Sequence, residues 1–231
     1  MVHLASIHWP ARWTHEAKRQ IYTNRIQTNS LLAKTLAGCE RKPQVLVCAS
    51  GIGIYTDSGD QILPEDSPVG TDFLAHLQCD GEAAATAPAC AAGIRVVNLR
   101  TPAVLGGAAI RRSVGRLGDG QQWSSWASRD ELASIVNYVL MTDILAGPIN
   151  PVSPNPVRNT EFTAILSRAL GRKPGFPMPA FLLRLTLGEM AEALILASRR
   201  IEPRKLLAAG YQFRFPMLDD ALRHELSVIS L

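Results

Sequence analysis

The chain has 231 residues, 47% of them hydrophobic and 19% charged, with a net charge of +4; that is room for one large domain, or for one plus a small appendage. Its basic pairs (Arg41-Lys42, Arg111-Arg112, Arg172-Lys173, Arg199-Arg200) are scattered, so the expectation is a solvated surface and no nucleic-acid partner. Four cysteines without C-x-x-C spacing and five histidines without H-x-x-x-H spacing exclude the common zinc and redox motifs, and Arg184, Glu189 and Glu192 interrupt the most apolar stretch, Phe181–Ala197, which argues against a membrane span.

Three short apolar runs, Val2–Ser6, Val45–Ser50 and Ile94–Leu99, read as parallel strands covered on both faces. Between the first two, Trp13–Ala37 repeats its apolar residues at helical spacing and stops at Gly38. Between the second and third, Thr71 or Asp72 caps a helix heading to Ala92 and closed by Gly93, with Pro88 expected to end or kink it early. Strand–helix–strand–helix–strand implies right-handed crossovers and a parallel sheet. Ser128-Arg129-Asp130-Glu131 is a capping box opening a helix to about Met141. A further helix spans Thr160–Leu170, Pro174, Pro177 and Pro179 stiffen a connector, and a long amphipathic helix, Ala180–Arg199, precedes a terminal unit, Pro203–Leu226.

The glycine turn after the second strand, Gly51-x-Gly53, is not a dinucleotide fingerprint: the third position is Thr56 and loop residues follow where a helix N-terminus would hold a pyrophosphate. The same strand end carries Ser50 towards the crevice where ligands of such sheets bind, with Tyr55 just beyond; both are candidate site residues, against the alternative that they satisfy local backbone. A Tyr-x-x-x-Lys proton-transfer pair is absent, because Ile26, Gly59, Thr142 and Phe215 follow the four tyrosines at that spacing. The loop Gly118–Trp126 holds Gln122, Trp123 and Trp126, which either line a ligand pocket as substrate contacts or lid a core. No secretory leader precedes the first strand, so a cytoplasmic protein is expected.

Taken in order, Trp13-Thr14-x-x-x-Lys18, Asn24-Arg25-Ile26, VCASGIGIY, Glu65-Asp66-Ser67-Pro68, Asp72-Phe73-Leu74-Ala75, GIRVVNLRT and Asp119-Gly120-x-Gln122-Trp123-x-Ser125-Trp126 resemble the epimerase-like family of extended short-chain dehydrogenases/reductases. Thr160-Glu161-Phe162, Pro177-x-Pro179, Gly188-Glu189-Met190, Gly210-Tyr211-x-Phe213 and Phe215-Pro216 resemble the approach to that family's small C-terminal domain of unknown function, and the domain itself. The likeness runs from about residue 2 to 226. It implies an α/β fold: a partial Rossmann-like parallel sheet over residues 1–177, its first strands and glycine-rich loop missing, and a small, mainly helical domain over 178–226. The resemblance implies NADP or NAD as cofactor and an epimerase or oxidoreductase acting on a small molecule, nucleotide sugars included. It places Leu4 and Ala5 at the cofactor's ribose side, Thr101, Pro102 and Val104 at its nicotinamide end, and Ser50 where a hydroxyl polarises a substrate carbonyl.

The chain departs from the family at Gly81, Pro102 and Ala127-Ser128, and is about ten residues short between Gly106 and Arg116. A chain starting at Val2–Ser6 would expose an apolar strand edge that invites self-association. Two functional expectations follow: an enzyme of this lineage with its cofactor grip impaired, or a non-catalytic interaction protein associating through that edge.

Overall fold

A computed structural model describes residues 1–6, 12–106 and 115–228. In chain order its principal elements are β1 (Val2–His3), α1 (His15–Ala37), β2 (Val45–Gly51), α2 (Phe73–Ala91), β3 (Arg95–Thr101), α3 (Arg129–Met141), β4 (Gly147–Ile149), α4 (Asn159–Ala169), α5 (Ala180–Leu187), α6 (Arg204–Ala208) and α7 (Leu218–Val228). The four strands form one parallel sheet in the order β1-β2-β3-β4, with Val2 opposite Val47, Val45–Gly51 opposite Arg95–Thr101, and Val97 opposite Gly147.

Alternation along the two central strands builds both cores. Leu46, Cys48 and Val96 point to one face and pack on Ala33 of α1 and Ala85 and Ala89 of α2. Val45, Val47, Val97 and Leu99 point to the other, against Ile135 and Val139 of α3 and Leu206 and Tyr211 of the terminal unit. This is the α/β fold expected, a parallel sheet with helices on both sides and a helical C-terminal part. A third cluster joins Trp126, Val157 and Leu166 to Leu218 and Leu222 of α7. Among the described residues no helix is long and apolar enough to cross a membrane.

Caps follow the side chains anticipated: Asp72 accepts from Ala75 N–H at the start of α2 and Ser128 from Glu131 N–H at the start of α3. Several expectations are corrected. Only Val2–His3 of the run Val2–Ser6 pairs as strand. Pro88 lies inside α2, close enough to its end that the helix continues to Ala91. The single helix expected over 180–199 is broken, because Gly188 takes the left-handed φ of 62°. A π-helical turn follows at Ala191–Leu196, then a short strand, Arg200–Ile201, pairing with Ile62–Leu63. The strand β4, too short to stand out in the sequence, completes the sheet. The pair Arg111-Arg112 and most of the short stretch between Gly106 and Arg116 fall outside the described residues.

Candidate functional site

The carboxyl ends of β2 and β3 open into a crevice of about 380 Å³, the position where parallel α/β sheets bind ligands. One wall is the turn Gly51–Gly53 with Leu74 and Gln78 of α2; another is Thr101–Ala103; Trp123–Ser125 and the π-helical turn's Leu194 and Ile195, with Arg199, close it. Gly53 is there for packing: a Cβ on it would meet Leu74 Cδ2 at 2.3 Å. This supports the view that the glycines shape a strand-to-helix contact and do not cradle phosphate.

Beside the crevice lies a buried polar network. Ser50 Oγ donates to Glu82 Oε1 at 2.6 Å. Arg100 grips the same carboxylate with Nε and Nη2, each at 3.0 Å. Its Nη1 donates to Tyr55 Oη at 2.8 Å and to the Glu65 carbonyl at 2.9 Å, and Tyr55 Oη donates to Asn150 Oδ1 at 2.9 Å. Burial alone would lower the Arg100 pKa, but the Glu82 carboxylate outweighs it and holds the guanidinium above its usual value. Burial raises the Tyr55 phenol, with Arg100 opposing. Glu65, also raised by burial, accepts from the backbone N–H groups of Asn150 and Lys205 and so ties the network to α6.

The structure brings some of the anticipated residues together and separates others. Thr101, Pro102 and Trp123 line the crevice; Ser50 does not, although it precedes Gly51, which does. Tyr55 is fully buried inside the network, its phenol hydrogen-bonded to Arg100 and Asn150. Trp126 is a core side chain whose Nε1 donates to the Asn155 carbonyl. Gln122 is buried too and spends its Nε2 on the carbonyls of Leu117 and Ile195. Val104 and Leu4 are exposed. Ala5 borders a separate small recess with Ile21, Arg25 and Asn29.

Sequence reasoning missed Glu82, Arg100, Gln78 and Arg199. An arginine ending an otherwise apolar strand was the one available signal, in GIRVVNLRT. Arg199, read as half of a solvated basic pair, is 5% exposed. It donates to the carbonyls of Tyr55 and Ala193, both at 2.7 Å, and burial lowers its pKa against the pull of the Asp72 and Asp57 carboxylates. Arg200 stacks on Trp123, 4.4 Å from the ring centroid, with Arg158 also within 4.8 Å and Asp60 accepting the indole N–H at 2.8 Å. This clamp fixes Trp123 at the crevice rim.

The described residues fit one end of a dinucleotide. Thr101–Ala103 and the Gly51 turn leave an open, largely apolar space at the strand ends, suited to a nicotinamide ring. At the end of β2, Gly51 leads only into a single 3₁₀ turn, Ile52–Ile54, too short to offer the N–H array of an α-helix N-terminus to a pyrophosphate. No group of residues suited to a metal ion occurs among the described residues.

Residues 178–225 match a domain of unknown function (DUF1731). The chain is 35% identical over 224 residues to the mouse epimerase family protein SDR39U1, covering 92% of this chain and 75% of the relative. It is 35% identical over 221 residues to the epimerase family protein Mb2239 of Mycobacterium bovis, covering 91% and 72%. A crystal structure of human SDR39U1 (isoform 2) with NADPH superposes with a TM-score of 0.90 at 30% identity, over 98% of this chain and 81% of that one. A nucleoside-diphosphate sugar epimerase from Corynebacterium glutamicum gives 0.79 at 33% identity, over 98% of this chain and 46% of that one. The likeness in sequence and in fold thus runs along nearly the whole chain, which belongs to the SDR39U1-like epimerase family of the NAD-dependent epimerase/dehydratase superfamily.

Proposed function

We propose that the crevice is the reactive chamber of an NAD(P)-dependent epimerase or oxidoreductase. The observation that carries this is the Ser50–Glu82 hydroxyl–carboxylate pair, which sits directly behind Gly51 of the crevice wall. The likeness to the NADPH-bound human relative supports NADP, or NAD, as the cofactor. Thr101 and Pro102 would flank its nicotinamide, and the phosphate grip would come from outside the described residues. When bound, the dinucleotide supplies hydride exchange at the substrate carbon. The chain manages the proton: Ser50 Oγ takes it from the substrate hydroxyl while passing its own to Glu82 Oε1, and the reverse transfer serves reduction. Arg100 holds Glu82 in place, and Tyr55 and Asn150 hold Arg100. In the division into 1–177 and 178–226, the first unit contributes the strand ends and the second contributes Leu194, Ile195 and Arg199. Nucleotide sugars are the class named for the Corynebacterium protein and belong in any substrate screen, and two exposed free thiols, Cys79 and Cys90, fit a reducing, cytoplasmic setting.

The test is turnover with NADPH supplied. Ser50→Ala should lower kcat by about 10²–10⁴-fold, the range for a lost proton-transfer group, with NADPH affinity little changed. Unchanged turnover in that variant refutes the assignment. A second reading, association through the β1 edge, draws on Leu4, 54% exposed beside that edge. It predicts self-association disrupted by Leu4→Lys, and a strictly monomeric wild-type chain in light scattering contradicts it.

A further inference from the structure

We propose that the crevice selects a small organic anion with an apolar body: the charged head on Arg199, the body against Ile52, Leu74, Leu194 and Ile195. The proposal rests on reading this crevice as the substrate chamber and narrows what that chamber takes. Arg199 is the buried cation of the crevice wall. Its hydrogen bonds go to two backbone carbonyls, using two of a guanidinium's N–H groups, and no carboxylate forms an ion pair with it among the described residues. Asp57 and Asp72 act on it from the neighbouring crevice that it also borders; the other two carboxylates there, Glu189 and Glu192, are paired with Lys18 and Arg184. With Asp57 and Asp72 beyond ion-pair distance, the buried guanidinium is only partly compensated, and an anion in direct contact would improve on that.

The rest of the lining sets the remainder of the ligand. Ile52, Leu74, Leu194 and Ile195 share the crevice lining with Arg199, and they suit a hydrocarbon body better than a hydroxyl-rich sugar. The volume of about 380 Å³ is near the lower end of the ~300–1,000 Å³ usual for small-molecule pockets, and the nicotinamide end would share it. What remains suits a chain of a few carbons carrying a carboxylate or a phosphate monoester, not a nucleotide sugar.

The experiment is a calorimetric titration of the chain without dinucleotide, so its failure is separate from any failure of NAD(P) binding or turnover. The probes are hexanoate, hexyl phosphate, acetate, hexanol and UDP-glucose. Hexanoate or hexyl phosphate should bind about tenfold or more tightly than hexanol and acetate, as expected for a charge-assisted contact together with a buried hydrocarbon body; whichever is tighter identifies the head group. Arg199→Gln should abolish that preference and Arg199→Lys should restore part of it. If Arg199→Gln does not fold, Leu194→Glu, at a rim position 47% exposed, should repel the same anions from a folded chain. The proposal is overturned by hexanol binding as well as hexanoate, by a preference that survives both Arg199→Gln and Leu194→Glu, by UDP-glucose binding more tightly than either anion, or by no anion binding at all.

Discussion

Replacing Arg100 with methionine tests whether the network beside the crevice holds Glu82 as proposed. The guanidinium is 7% exposed and the Glu82 carboxylate 12%. The substitution removes both contacts to Glu82 and the bonds to Tyr55 Oη and the Glu65 carbonyl. Glu82 would be left as a buried charge with the Ser50 hydroxyl at 2.6 Å as its closest remaining partner. Breaking such a pair from one side costs about 3–5 kcal/mol. With a melting-temperature shift of about 2–4 °C per kcal/mol for a chain of this size, Arg100→Met should melt about 6–20 °C lower. The double variant Arg100→Met/Glu82→Leu removes the stranded charge as well and should recover most of that loss. Circular-dichroism melts of wild type, both single variants and the double variant close the thermodynamic cycle. A drop of less than about 2 °C in Arg100→Met, or a double variant no more stable than the single, would show that Glu82 does not depend on Arg100.

Three further outcomes are expected. Gly53→Ala should cost about 1–3 kcal/mol in chemical denaturation through overpacking against Leu74; an unaffected midpoint would mean that the turn yields. Tyr55→Phe should cost about 1–3 kcal/mol, because Asn150 Oδ1 and Arg100 Nη1 lose a buried partner, while ligand binding in the crevice is kept; lost binding with unchanged stability would make the phenol a ligand contact. Glu65 titrates above its ordinary value because burial disfavours its charge. Its contribution to stability is therefore complete below the unfolded value and lost as pH rises through the folded one. The stability of wild type relative to Glu65→Gln should fall as pH rises above the ordinary glutamate range, about pH 4, and a difference that is flat or rises with pH contradicts that sign.

The sheet was legible where side chains repeat. Val45–Cys48 and Val96–Leu99 are rich in β-branched and apolar residues and buried on both faces, and Asp72 and Ser128 cap the helices they announce. Glu131 shows where such reading stops. Its position completes a capping box, yet its carboxylate accepts from Tyr211 Oη at 2.5 Å and from Phe215 N–H at 2.9 Å, tying α3 to the C-terminal unit. Apolar periodicity continued through Gly188, so the break after α5 left no trace in the pattern, and the π-helical turn that closes the crevice was hidden with it. Of the crevice lining, Thr101 and Pro102 were singled out through the family resemblance and Trp123 through its glycine-bounded loop. Arg199 and Glu82 were not, since charge and spacing alone do not separate a solvated residue from one folded against a crevice. Long-range contacts decide that: Arg199 meets Tyr55 across 144 residues of sequence.

The most direct test of the central claim is a calorimetric titration of NADPH into the wild-type chain and into Ala103→Trp. Ala103 is exposed at the crevice mouth, so an indole there fills the chamber without disturbing the core. The account predicts saturable NADPH binding to wild type and its loss in a folded Ala103→Trp. Absence of binding to wild type, or binding that Ala103→Trp leaves intact, would contradict the placement of the cofactor's reactive end in this crevice.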